Sequence, residues 1–313
     1  MQTVRIGRSD LSASRLCFGC WRIAGTWNPA EITPASEAAG RLAVRTAVEQ
    51  GYTLFDLADI YCQGESERIF GEALREMPGV RDRLVVATKC GIRRPDDPPG
   101  TPYRYDFSKD YIVRSCEDSL RRLGIDTIDL YQLHRPDFLM DPAEVASAFE
   151  SLHKSGKVRE FGVSNFRPSQ VTALQRACPR PLLVNQVEIS LAQLAPFSDG
   201  TLDQCLAEAI TPMAWSPLAG GKLGDGPRRV LPSQEAYRTE TLNAALDALG
   251  RELGVSRTVV ALAWLLRHPS RIVPIVGSTN PERIREAVAA DRITLSREQW
   301  YQLFTIARGE PLP

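Results

Sequence analysis

A closed barrel of eight parallel strands, each followed by a helix, is the fold that the sequence predicts. Three observations predict it. Eight short apolar or β-branched runs recur along the chain, longer amphipathic stretches separate them, and side chains suited to acid–base chemistry fall at the ends of several runs. In a (β/α)8 barrel the carboxyl ends of the strands converge on one face, where catalytic groups collect.

The strand candidates, in order, are Leu16 to Gly19, Leu54 to Leu57, Leu84 to Thr88, Ile128 to Leu133, Glu160 to Val163, Leu182 to Val187, Pro212 to Trp215 and Val273 to Val276. Helical patterns lie between them at Arg41 to Gln50, Ser66 to Glu76, Asp110 to Leu123, Pro142 to Ser155, Pro168 to Ala177 and Leu202 to Ala209. Pro142 after Asp141 and Pro281 after Asn280 read as an N-cap followed by proline at the first helical position. Thr3 to Ser14, with its turn Gly7-Arg8-Ser9-Asp10, is expected to form an amino-terminal hairpin closing the barrel bottom. Tyr237 to Leu253, Ser256 to Arg267 and Ser296 to Ala307 supply more helices than a minimal barrel needs, so added helices are expected. The Gly/Pro-rich connections Gly91 to Phe107 and Gly220 to Gln234 follow strands and should overhang the active face. Residues 1–313 are read as one barrel domain, because no shift in composition divides them.

Lys plus Arg and Asp plus Glu both total 38, so no net field draws nucleic acid or an acidic membrane. The longest apolar run, Val259 to Leu266, falls far short of the roughly 20 residues that span a bilayer. A cytoplasmic protein with no specific protein partner is the expectation. Seven scattered cysteines read as reduced thiols. Cys17 and Cys20 have no second Cys or His pair to complete a zinc site, so no metal is expected. Cys62 and Cys90 directly follow two candidate catalytic residues and are candidates for oxidation. His153 and His268 fall in helical patterns and are expected at the surface.

Four residues carry the chemistry. Asp56 and Tyr61 lie in Phe55-Asp56-Leu57-Ala58-Asp59-Ile60-Tyr61, Lys89 ends Val85-Val86-Ala87-Thr88-Lys89, and His134 ends Leu130-Tyr131-Gln132-Leu133-His134 before Arg135-Pro136-Asp137. Singly each has a structural reading; together at strand ends they point to catalysis. The order, spacing and strand placement of these motifs resemble the aldo-keto reductase superfamily, and most closely its bacterial members with a His-Arg-Pro-Asp segment. The resemblance runs from the hairpin to the helix after the eighth strand. It implies an eight-stranded barrel that binds a nicotinamide cofactor without a Rossmann domain, and no Gly-x-Gly-x-x-Gly follows a strand here.

The resemblance implies that Tyr61 is the general acid protonating a carbonyl oxygen, that Lys89 and Asp56 tune it, and that His134 orients the substrate. A nearby ammonium is expected to favour the phenolate of Tyr61. It further implies cofactor contacts: Ser164, Asn165 and Gln186 on the nicotinamide carboxamide, and Trp215 stacked on the ring. The segment Ser216-Pro217-Leu218-Ala219-Gly220-Gly221-Lys222 resembles the loop over the pyrophosphate, with Lys222 adding charge. Ser278 and Arg283 match the positions that hold the adenosine 2′-phosphate, Gly277, Thr279 and Glu286 are further expected cofactor contacts, and a helix start there attracts phosphate through free N–H groups. NADPH is therefore the expected cofactor. Gly277 and Ala287 stand where many NADPH-preferring members have lysine and asparagine, so some NADH use is also expected.

Trp21, Trp27, Tyr103, Tyr105 and Phe107 either line a pocket for a carbonyl substrate or pin long loops to the barrel. The leading function is reduction of aldehydes or ketones. Two other readings stay open: a Schiff-base aldolase using Lys89, and a cofactor-binding regulatory subunit or redox sensor.

Overall fold

Residues 1–313 are described by a computed structural model. A hairpin of β1 (Thr3–Arg5) and β2 (Ser12–Ser14) precedes the barrel. The next strands are β3 (Cys17–Gly19), β4 (Leu54–Asp56) and β5 (Val85–Cys90), then a short antiparallel pair, β6 (Ile92–Arg93) and β7 (Arg104–Tyr105). The chain continues with β8 (Ile128–Leu133), β9 (Val158–Ser164), β10 (Leu182–Glu188), β11 (Thr211–Trp215) and β12 (Val273–Val276). The parallel barrel runs β3-β4-β5-β8-β9-β10-β11-β12 and closes where Ile275 of β12 pairs with Cys17 of β3.

Helices α1 (Pro34–Glu49), α2 (Glu65–Arg75), α3 (Lys109–Leu123), α4 (Pro142–Lys154), α5 (Pro168–Ala177) and α6 (Thr201–Glu208) follow the first six barrel strands. α7 (Glu240–Leu253) and α8 (Arg257–Leu266) follow β11, α9 (Pro281–Ala287) follows β12, and α10 (Arg297–Arg308) ends the fold. The first helix begins seven residues before the expected start. Thr33 and Ser36 form a reciprocal capping box with proline at the first position. Its opening turn of small residues lacks the apolar stripe by which a sequence pattern is recognised. The expected loop from Gly91 to Phe107 likewise contains the β6–β7 pair.

Two apolar regions result from period-two alternation along the strands. Leu54, Val85, Ala87, Leu130, Met213 and Val273 point into the barrel, where Val4, Ile6, Leu11 and Ala13 of the hairpin pack with them and close the bottom. The opposite faces of the strands meet the helices in the larger core. Continuing the inward alternation upward replaces Val85 and Ala87 by Lys89 and replaces Leu54 by Asp56. The same alternation that builds the core therefore delivers polar side chains to its upper end.

α10 is held to α8 by stacked Trp264 and Trp300, whose centroids lie 4.9 Å apart and whose indole N–H groups each donate to the other's backbone carbonyl at 3.1 Å. His268 packs edge-on to Phe197 in this cluster, and its Nδ1 lies 2.7 Å from Ser270 Oγ. Both His153 and His268 are half-buried rather than free at the surface. No helix is long and apolar enough to cross a membrane.

Gly40 of α1 sits where a Cβ would fall 2.1 Å from the Ile23 carbonyl oxygen. Gly40→Ala should force α1 off the β3–α1 loop and cost about 1–3 kcal/mol, as overpacking does. Urea unfolding should show the lowered midpoint.

Candidate active site

The site begins with a buried ion pair. Lys89 on β5 is fully enclosed, and its ammonium donates to Asp56 Oδ2 at 2.8 Å, to the Leu57 carbonyl at 2.7 Å and to Tyr61 Oη at 3.1 Å. An ammonium has three protons, so all are spent. Burial works against the charge, but Asp56 and Tyr61 outweigh it and raise the Lys89 pKa. No lone pair is left for nucleophilic attack. Asp56 Oδ1 accepts from Gln186 Nε2 at 2.7 Å, which brings β4, β5 and β10 together across the barrel.

Tyr61 reaches this pair from the loop after β4. Cys62, Gln63 and Gly64 all adopt positive φ, turning the chain sharply into α2. At Gly64 a Cβ would lie 2.5 Å from the Arg122 side chain. Because Tyr61 accepts from Lys89, its own O–H is free to point into the cleft. Burial pushes its pKa up to about 12, more than Lys89 pulls it down. Lys89 pulls the phenol towards ionisation, as the sequence leads one to expect, but desolvation outweighs that pull and the phenol keeps its proton.

His134 follows β8, its N–H donating to the Cys90 carbonyl at 2.9 Å. Burial first, then the charges of Lys89 and Arg135, hold its pKa well below the ordinary value. Its ring stands edge-on to Tyr61 at 5.9 Å, and its Nδ1 is buried without a partner. The neutral imidazole therefore faces the same space as the phenol.

These groups end a cleft of about 480 Å³ whose lining includes Asp56, Tyr61, His134, Ser164, Asn165, Gln186 and Trp215. Trp215 Nε1 donates to Asn165 Oδ1 at 2.9 Å, and Asn165 Nδ2 donates to Ser164 Oγ at 2.9 Å and to the His134 carbonyl at 3.1 Å. Ser164 Oγ donates to the Gln186 carbonyl at 2.8 Å. The three expected carboxamide contacts and the expected stacking residue are therefore one hydrogen-bonded unit.

Ser216, Pro217, Leu218 and Gly220 carry the cleft onward to Gly277, Ser278, Thr279 and Arg283. Lys222 and Glu286 are outside it. Lys222 donates instead to the Glu235 and Tyr237 carbonyls at 2.8 and 3.0 Å, tying its loop to the approach to α7. The amides expected to be free at the start of α9 are also engaged, since Asn280 Oδ1 accepts from Glu282 N at 2.9 Å and Arg283 N at 3.2 Å. The loop over the cleft is anchored by Asp225, whose carboxylate accepts from Thr258 N and Oγ1 at the start of α8.

Four cleft arginines lack carboxylate partners: Arg22, Arg135, Arg229 and Arg283. Only Arg283 was anticipated from the sequence. Arg22 leans on the Arg229 carbonyl at 3.4 Å, and burial together with the Arg229 charge lowers its pKa to about 10. Unpaired cations along a glycine-rich cleft suit the phosphates of a dinucleotide. Their sequence signal is weak, because an arginine in a loop is ordinarily solvated. A Cβ at Gly277 would lie 3.0 Å from Trp21 Nε1, so a side chain there would crowd the indole.

Trp21, Trp27 and Tyr103 line the cleft near Tyr61, with Trp27 edge-on to Tyr61 at 6.2 Å. Phe107 instead lies beneath the loop, stacked on Phe166, and Tyr105 packs edge-on to Tyr103. Thus some of these aromatics form the pocket and others pin the loop. Cys62 and Cys90 are both buried, and burial raises their pKa values, which holds them as thiols rather than reactive thiolates.

Barrel and site together define an oxidoreductase of the nicotinamide-dependent barrel class. The aldo/keto reductase family model matches residues 15–308. The chain belongs to that family. It is 42% identical over 98% of its length to a 6-dehydroglucose reductase of Agrobacterium fabrum, 98% of which is covered. A 6-dehydroglucose reductase of Novosphingobium aromaticivorans is 40% identical over 99% of the chain, with 96% of that protein covered. An aldo/keto reductase crystal structure from Klebsiella pneumoniae, in complex with NADP and acetate, superposes with a TM-score of 0.79 at 26% identity, covering 99% of this chain and 96% of that one.

His134 should stay neutral throughout the neutral range. Its imidazole NMR signals should not titrate between about pH 6 and 8, whereas an ordinary histidine passes its midpoint near ~6.5. Because the folded pKa is depressed, the unfolded chain takes up the proton first. The stability contribution should therefore be lost progressively as pH falls from the unfolded value towards the lower folded one.

Proposed function

We propose that the protein reduces an aldehyde or ketone to the alcohol with NADPH, with Tyr61 as the general acid. The observation that carries this reading is the triple donation of the Lys89 ammonium to Asp56, Leu57 and Tyr61. The bound cofactor supplies the hydride. Tyr61 directs its O–H at the carbonyl oxygen while Lys89 occupies the phenol lone pair. As that oxygen becomes an alkoxide, a stronger base than a phenolate, the Tyr61 proton transfers to it. The phenolate left behind is held by the adjoining ammonium. Neutral His134 donates a hydrogen bond to the same oxygen and orients it.

Trp215 stacks on the nicotinamide ring, and the Ser164–Asn165–Gln186 unit holds the carboxamide. Arg22 and Arg229 neutralise the pyrophosphate beneath the Gly220–Gln234 loop. Ser278 and Arg283 receive the 2′-phosphate, which makes NADPH the preferred form. Gly277 and Ala287 leave that end short of a lysine and an asparagine, so NADH supports slower turnover. The indole faces of Trp21 and Trp27, with the activity for which two close relatives are named, favour a sugar-type aldehyde. Seven buried free cysteines fit a reducing, cytoplasmic setting, with residues 1–313 acting as one domain.

Tyr61→Phe should lower kcat by at least roughly 10²-fold, the scale of general acid catalysis, with little change in NADPH affinity by fluorescence titration. Retained turnover would remove Tyr61 from the role. Arg283→Gln should raise the KM for NADPH by about tenfold, the scale of one lost charge-assisted contact, and leave that for NADH nearly unchanged. An equal change with both cofactors would place the 2′-phosphate elsewhere.

A further inference from the structure

A second cavity, of about 590 Å³, lies behind the Tyr61 loop and shares only Ile60 and Ile92 with the catalytic cleft. Its walls come from Asp59 to Gln63, from the chain around β6, and from one face of α3. Tyr111, Asp118 and Arg122, with the adjacent Arg114 and Ser115 between them, recur at spacings of three or four residues and so form a stripe along that helix.

Charge accounting leaves two arginines of this cavity, both solvent-exposed, without partners. Arg93 is paired with Asp97 and Asp106, both at 3.0 Å, and Arg122 with buried Glu67 at 2.7 Å. Asp118 is paired with Arg121. Arg94 and Arg114 line the cavity with neither a carboxylate nor a hydrogen-bond partner. The guanidinium carbons of Arg93 and Arg114 lie 4.6 and 5.8 Å from the same Tyr111 ring centroid. Asp59 does not balance them fully. Its Oδ2 accepts from Ser115 Oγ at 2.8 Å and its Oδ1 has no partner. Burial, and then the Glu67 charge, push its pKa up to about 7, so a large share of it is protonated at neutral pH.

We propose that this cavity binds a phosphate-type oxyanion, held between Arg94 and Arg114 above the Asp59–Ser115 floor. Guanidinium donors match tetrahedral oxyanions, and a doubly charged ligand matches two unpaired cations where a monocarboxylate leaves one unmatched. The volume admits an ester substituent as well as the bare ion. The position matters to the catalytic face: the Asp59 N–H donates to the Lys89 carbonyl at 3.1 Å, and Tyr61 follows two residues later.

The test is calorimetric titration of inorganic phosphate into the protein saturated with NADP+, so that the Ser278–Arg283 end is filled. Saturable binding at one site is expected, weakened at least roughly tenfold by Arg94→Gln with Arg114→Gln and unchanged by Arg283→Gln, with acetate binding at least as much weaker than phosphate. A parallel titration with glycerol 3-phosphate separates the sources: tighter binding assigns the site to phosphomonoesters, and equal or weaker binding assigns it to free phosphate. Neither arginine makes a hydrogen bond, so the double variant should keep its melting temperature and its turnover without phosphate. No saturable phosphate binding, or equal binding by the double variant, would overturn the site. Failure of NADP+ to bind would count against the cofactor cleft alone, and Arg283→Gln would then carry the phosphate titration.

Discussion

The Lys89–Asp56 ion pair is the constraint on which the catalytic face depends. Enclosing two charges costs several kcal/mol per ion in solvation, and breaking such a pair by removing one partner costs roughly 3–5 kcal/mol. The arrangement persists because every donor of the ammonium has an acceptor and both carboxylate oxygens are engaged. Those bonds join β4, β5 and β10 and position the loop carrying Tyr61. A change in any of these strands is therefore felt at the phenol. The cluster behind them extends the same logic, as Glu67 accepts from both Thr88 beside Lys89 and Arg122 on α3.

The cleft shows a different use of charge. Around Lys89 the charges are paired internally and dry; along the loop from Gly220 and the start of α9 the arginines are left without partners. The first arrangement sets the protonation of a reacting group, and the second awaits an anion from outside. Desolvation decides both. It keeps Tyr61 protonated against the pull of an adjacent ammonium, it keeps His134 neutral, and it depresses Arg22 where no carboxylate compensates.

Much of this was legible in the chain. The eight strands, with Asp56 and Lys89 at their upper ends, follow from local alternation, which depends only on neighbours in sequence, whereas Tyr61 and His134 were legible through their motifs. The start of α1 was missed because its signal is a cap and a proline rather than an apolar stripe. Lys222 was misplaced for a related reason: a lysine after two glycines looks available to phosphate, and only the fold brings the Glu235 and Tyr237 carbonyls to it. Arg22 and Arg229 were overlooked because they lie about two hundred residues apart and acquire a role only when the barrel brings their loops together.

By itself, the sequence determined the parallel barrel, the side chains that alternation delivers to its upper end and, through the family motifs, the kind of chemistry to expect. Period-two geometry makes those properties local. The tertiary structure decided the electrostatics: which charges are paired, which are stranded, and whether a titratable group keeps its proton. Those depend on burial and on partners from distant strands, and free energies of that kind are not encoded in any one segment. For this reason Tyr61 could be found in the sequence, whereas the balance of burial against the Lys89 charge at its phenol could be read only from the folded site.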